Sequence, residues 1–177
     1  MSNYGEYLDN STVRFQRLLP GPIERVWAYL TESAKRAQWL CAGDTQLEPG
    51  GIVEMHFHNV SLSGPTDIPR PDIYKDKPER MSFGGKVLAC EPLRLLTYTW
   101  EFEDEHSEVT YELSEQGDKV LLVLTHRRLD TRDMVLSVSA GWHTHLGLLE
   151  DILNGDDLRP FYKTQTELHT EYERRLA

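Results

Sequence analysis

A chain of 177 residues with an ordinary apolar fraction fits one domain, and at that size about 70% of the unfolded surface can be buried. The formal net charge of −10 argues against nucleic acid or an anionic membrane surface as partner, because both need clustered Lys and Arg. No apolar run reaches the roughly 18 residues of a spanning helix, so no membrane insertion is expected.

The opening MSNYGEYLDN lacks the basic and apolar regions of a signal peptide, which points to a cytoplasmic protein. From Ser11 to Leu19, Val13, Phe15 and Arg17 alternate with polar neighbours, the period of a half-buried strand. A helix is expected over Pro22–Leu30, since proline at the first helical position loses no hydrogen bond, and Ile23, Val26, Trp27 and Leu30 form one stripe. Ser33 is a candidate cap for a second short piece reaching Trp39. Glu48-Pro49-Gly50-Gly51 reads as a tight turn.

Ile52–His58 is the next strand, with Val53, Met55 and Phe57 on one face and Glu54, His56 and His58 on the other. Asn59–Ser82 is polar and Pro-rich; a loop this long is either a lid or a mobile insertion without a role. Gly84–Cys90 and Leu93–Phe102 follow as strands, the second with Leu96, Tyr98, Trp100 and Phe102 on one face. After the charged connection Glu103–His106, Val109, Tyr111 and Leu113 alternate with polar residues, and Gln116-Gly117-Asp118 makes a hairpin turn. Val120–Leu129 places Leu122, Leu124 and His126 on a common face. A long helix is expected over Thr131–Asn154, capped by Asp130 or Thr131, with Val135, Val138, Trp142, Leu146, Leu149 and Leu153 as its buried stripe and Asn154-Gly155 at its end. A last helix starts at Pro160, with Phe161, Leu168, Tyr172 and Leu176 on one side.

These elements predict an α+β fold: a curved antiparallel sheet wrapped around a long C-terminal helix, with two short helices after the first strand. The chain reads as a single domain, residues 1–177, with a core over 10–155 and a tail helix within 156–177. Such an architecture implies a cavity between sheet and helix.

Seven histidines raise the question of a metal. His56 and His58 share a strand face with Glu54, an acceptable partial ligand set, but that face is more simply solvated and no spacing supplies further ligands. His143 and His145 point about 200° apart on a helix and cannot chelate together. Cys41 and Cys90 lack metal spacing and read as reduced thiols, so no metal and no cofactor is expected. There is no G-x-S-x-G elbow, and Phe83-Gly84-Gly85-Lys86 sits before a strand, not between strand and helix, so no catalytic residue is assigned. Glu101, Glu103, Asp104, Glu105 and Glu108 read as a solvated charge run. What remains is an apolar pocket with a few polar groups, for which Trp39, Tyr98, Trp100, Tyr111, His126, Trp142 and His145 are the candidate ligand-binding residues.

The segments LLPGPIERVWAYLTESAKRAQWL (Leu18–Leu40), LEPGG (Leu47–Gly51) and GKVLACEPLRLLTYTWE (Gly85–Glu101) resemble the SRPBCC, or START-like, superfamily. LTHRRL (Leu124–Leu129) and SAGWHTHLGLLEDIL (Ser139–Leu153) resemble the branch named after the C-terminal domain of the activator of the ninety-kilodalton heat-shock protein's ATPase. The resemblance implies a helix-grip fold over a hydrophobic cavity. It implies a small hydrophobic molecule as partner, and some members of the family act as cyclases; the leading reading here is binding without catalysis. Two alternatives stay open: a cyclase- or hydrolase-like enzyme using a cavity histidine, and a stress-response protein partnered with a chaperone. Either a monomer or a homodimer is compatible with the sequence.

Overall fold

The computed structural model describes residues 2–103 and 105–177. Its sheet holds seven antiparallel strands: β1 (Glu6–Asp9), β2 (Thr12–Pro20), β3 (Ile52–Phe57), β4 (Met81–Glu91), β5 (Leu95–Phe102), β6 (Glu105–Gln116) and β7 (Lys119–Arg127). Their order is β1-β2-β7-β6-β5-β4-β3. Four helices accompany it: α1 (Ile23–Thr31), α2 (Ser33–Arg36), α3 (Arg132–Asn154) and α4 (Phe161–Arg175). The α+β, helix-grip architecture is therefore present.

Alternation and register together decide what faces the helix. Val13 pairs His126, His126 pairs Val109, Val109 pairs Tyr98 and Tyr98 pairs Val87, so one row of inward side chains crosses five strands. A second row runs Phe15, Leu124, Tyr111 and Leu96. These residues are buried, as a period-two face against a core requires. The turn Gly117-Asp118 closes the β6–β7 hairpin, with Gly117 at φ 67°, a conformation glycine adopts without Cβ strain.

Several boundaries differ from the sequence reading. β1 has no apolar alternation, and its pairing to β2 is helped by Asp9, whose Oδ1 accepts the Ser11 N–H at 2.7 Å. Pro22 precedes α1 as its cap residue instead of opening it. Ser33 is not a cap: its hydroxyl accepts the Gly43 N–H at 2.9 Å, tying α2 to the following loop. Phe83-Gly84-Gly85-Lys86 lies inside β4, where Gly85 allows the Thr99 carbonyl to approach closer than any side chain would permit. The connection after β5 is shorter than expected, since His106 already belongs to β6; Asp104 and the side chain of Glu105 lie outside the described residues.

α3 begins where its cap predicts: Thr131 Oγ1 accepts the Met134 N–H at 3.1 Å, and Gly155 ends it at φ 76°. Val138 is only half-buried, whereas Ala140, Leu148 and His143, outside the expected stripe, are buried. α4 packs against α3, with the Tyr172 hydroxyl 2.9 Å from His143 Nδ1, so α3 is enclosed by more than the sheet. The segment between β3 and β4 contains two short 3-10 turns, Asn59–Leu62 and Asp72–Tyr74. Asp67 fastens it to α4 by accepting the N–H groups of Tyr162 at 2.8 Å and Lys163 at 3.0 Å. Among the described residues no helix is long and apolar enough to cross a membrane.

Candidate ligand-binding site

The inner face of β5, β6 and β7 delivers Tyr98, Trp100, Tyr111 and His126, and α3 delivers Trp142 and His145 opposite them. Trp100 and Trp142 meet edge to face at 5.5 Å between ring centroids, and Trp100 lies 5.6 Å from His126. Both contacts fall in the favoured range for ring pairs. Trp39 is further back, fully buried, with its indole N–H donated to the Tyr29 carbonyl at 2.8 Å. Six of the seven candidate residues are buried, and Trp100 is half-buried.

The polar atoms among these rings are ordered by donor logic. An indole N–H only donates, so the 3.0 Å contact from Trp142 Nε1 makes His126 Nδ1 the acceptor and leaves the proton on Nε2. That Nε2–H donates to Ser107 Oγ at 2.7 Å, and the serine hydroxyl passes its own proton to the Trp100 carbonyl at 3.4 Å. His145 has the opposite tautomer: its Nδ1 contacts the Trp39 carbonyl at 2.6 Å, so Nδ1 carries the proton. Its Nε2 lone pair has no partner among the described residues. The Tyr98 and Tyr111 hydroxyls bond to each other at 2.9 Å.

Burial decides the charge of all four groups. His126 is pushed down to about 3 and His145 to about 4, because a charged imidazole loses its hydration there. Burial likewise lifts Tyr98 to about 12 and raises Tyr111. At neutral pH these four groups are all uncharged.

Between sheet and α3 the Trp142 ring lies 5.5 Å from Trp100, 6.1 Å from Tyr111 and 6.3 Å from His126. Two open concavities lie elsewhere, one of about 500 Å³ beside Ala37, Leu62 and Ile152, and one of about 400 Å³ between α3 and α4. The interior approaches solvent at one end only partly covered, where Phe83, Trp100 and Phe102 are half-buried around Phe57. Phe57 stacks on Phe83 at 5.3 Å, and Phe83 meets Trp100 and Phe102, each at 5.2 Å. Phe161, the first residue of α4, lies 5.3 Å from the His145 ring. Phe57, Phe83 and Phe161 were not among the candidate residues. The alternation of Val53, Met55 and Phe57 marks the first as inward, and its partner strand then marks Phe83, but nothing local links Phe161 to His145.

The other candidates separate cleanly. His56 is exposed and bonded to Ser82, and no group of three His, Cys, Asp or Glu among the described residues is placed to hold a metal. Cys41 and Cys90 are free thiols. Glu108 pairs with Arg128 at 3.0 Å, as a surface carboxylate does. His143 faces α4, on the opposite side of α3 from His145.

A helix-grip domain with an aromatic interior is the class these features define, and that fold is compatible with ligand binding. The model of the family described as Activator of Hsp90 ATPase homolog 1-like protein matches residues 69–154. The solution NMR structure of a protein from Bordetella parapertussis is 42% identical, covers 98% of this chain and 91% of that one, and gives a TM-score of 0.81. The chain belongs to this family of SRPBCC-type proteins. CalU16 from Micromonospora echinospora shares the fold at 23% identity and a TM-score of 0.67, covering 93% of this chain and 88% of its own. DynU16, from the dynemicin biosynthetic locus, does so at 19% and 0.64, covering 86% and 50%. Among curated proteins none matches this sequence.

Proposed function

We propose that this protein binds a small, uncharged, largely apolar molecule between the sheet and α3 and does not transform it. The observation that carries this reading is His145. Its Nδ1–H is spent on the Trp39 carbonyl, which fixes the ring, while Nε2 keeps an acceptor lone pair among Phe57 and Phe161. Trp39, Tyr98, Trp100, Tyr111, His126 and Trp142 supply the surrounding apolar area. A guest enters by displacing rings at the half-buried end, Phe83 and Trp100 first. Burying about 200 Å² of apolar ligand surface contributes roughly 5 kcal/mol before the costs of association and ring displacement. An ion is disfavoured by the cost of desolvating it, and the buried Arg36 guanidinium beside Tyr98 and Tyr111 is already committed to the Cys41, Gly43 and Glu54 carbonyls. The depressed proton affinities of His126 and His145 favour binding over general acid–base catalysis. The two free thiols agree with a cytoplasmic setting.

Thermal unfolding against a panel of neutral apolar compounds tests this. Binders are expected to raise the melting temperature of the wild type. His145→Asn keeps a donor toward the Trp39 carbonyl but removes Nε2, so the shift from hydroxyl-bearing compounds should fall. Equal shifts in both proteins would reject the assignment of His145, and no shift with any compound would reject the function.

A further inference from the structure

The second concavity lies apart from the interior just described, in the seam between α3 and α4. It holds about 400 Å³, with Tyr4 and Leu168 as its apolar wall and His143, Arg159 and Thr164 as polar ones. The donors there are left over from other bonds. Arg159 gives Nε and Nη2 to the Asp151 carboxylate at 2.7 and 2.5 Å, which leaves Nη1 without a partner among the described residues. Gly147 permits this, because a Cβ at that position would collide with the Arg159 guanidinium. Gly147 is one helical turn after His143, so Nη1 and the His143 ring stand on the same face of α3.

His143 contributes a second donor. The Tyr172 hydroxyl oxygen accepts the Gly5 N–H at 2.9 Å and lies 2.9 Å from His143 Nδ1, where either atom can carry the shared proton. In the tautomer in which the Tyr172 hydroxyl donates to Nδ1, the imidazole proton sits on Nε2. The Thr164 hydroxyl makes no side-chain bond among the described residues. Near His143 lies Arg17, 1% exposed, which forms an ion pair with Glu150 at 3.3 Å, gives Nη1 to the Gln16 carbonyl at 2.9 Å and leaves Nη2 without a hydrogen-bond partner. The Arg17 guanidinium is 5.8 Å from the Phe15 ring, and that ring is 6.3 Å from His143. The groove lining thus offers Arg159 Nη1 and the Thr164 hydroxyl as donors, with Glu167 and Glu171 as its carboxylates. Burial, then Arg17, Arg159 and Arg175, hold the His143 ring down at about 4, so the potential at that ring is positive.

We propose that the groove between α3 and α4 is a second binding site, for a small monocarboxylate whose oxygens are taken by Arg159 Nη1, His143 Nε2–H and the Thr164 hydroxyl, with its apolar tail on Tyr4 and Leu168. One negative charge suits the site better than two. Glu171 is already paired with Arg174 and Arg175, but Glu167 remains at the rim and repels a dianion.

Hexanoate is the probe, with hexan-1-ol as its uncharged match, both titrated into isotope-labelled protein and followed by amide resonances. Hexanoate is expected to move His143, Thr164 and Leu168 saturably, and hexan-1-ol is expected to leave them in place. Arg159→Lys keeps a charge for Asp151 but loses Nη1, and Thr164→Val removes the hydroxyl from an otherwise unchanged helix. Each should weaken hexanoate about tenfold, the worth of one charge-assisted hydrogen bond. The proposal is overturned if millimolar hexanoate produces no saturable shift, if hexan-1-ol moves the same amides equally, or if the shifts map to the sheet–α3 interior. Should Arg159→Lys perturb the whole spectrum, Thr164→Val decides alone.

Discussion

Arg36 is the side chain on which the most backbone converges. It is buried at 1% exposure and donates to the Cys41 carbonyl at 3.1 Å, to Gly43 and Glu54 carbonyls at 2.7 and 2.8 Å, and to Thr45 Oγ1 at 2.8 Å. Arg36→Met keeps much of the volume but strands these acceptors in apolar surroundings. It should cost about 3 kcal/mol of unfolding free energy, seen as a lower urea midpoint at unchanged slope. The buried histidines make a different prediction. Burial lowers His126 to about 3 and His143 and His145 to about 4, against 6.5 in the unfolded chain. Between these limits the unfolded chain binds protons that the folded one refuses, so stability is full above 6.5 and falls as pH drops toward 4. Each unit of difference is worth about 1.4 kcal/mol per group. Urea midpoints should decline across that window, and His145→Asn, with one titrating ring fewer, should decline less steeply. A midpoint that stays level would contradict the buried, neutral state of these rings.

Among the elements, the segment between β3 and β4 and the start of α4 behave as one unit through Asp67. Its carboxylate accepts from Ser63, Ile68, Tyr162 and Lys163, and the bonds to backbone N–H groups and Ser63 hold its proton affinity down despite partial burial. Asp67→Ala removes the cap of a helix that Pro160 cannot cap, at a cost of about 1 kcal/mol. Hydrogen exchange should quicken together in residues 60–80 and in the first turn of α4; quickening in only one would separate the two segments. This contact illustrates what the sequence withholds. Thr131 and Gly155 were readable as caps because donor and acceptor are near neighbours in the chain, whereas Asp67 and Tyr162 are 95 positions apart. β1 was unreadable for another reason: an edge strand with one solvated face and a short run carries no apolar alternation. His143 and His145 were correctly read as facing opposite sides of α3, since helical periodicity alone sets that angle.

Across the whole molecule the layers run sheet, α3, α4, and the middle layer depends on both others. The order of strands and helices was legible because each announces its own period. The interior was legible only as a set of inward faces. Whether Trp100, Trp142 and His126 leave space or fill it depends on the distance between sheet and α3, which no single element encodes. The same gap made α4 look like a tail outside a core ending near residue 155. Phe161, Tyr162 and Tyr172 are all buried at the α4 layer, and three aromatic side chains of about 200 Å² each represent about 15 kcal/mol of apolar burial, an upper estimate. That is comparable to the whole net stability of a typical domain, about 5–15 kcal/mol. A chain ended after Gly155 also exposes His143, Ala140 and Leu148 and leaves Asp151 without Arg159. It is therefore expected to retain helical and strand signals in far-ultraviolet circular dichroism but to lose a sharp calorimetric transition and to bind a hydrophobic dye. A truncated protein that still melts cooperatively would mean that the sheet and α3 suffice, and that α4 contributes the groove on its inner side and little of the stability.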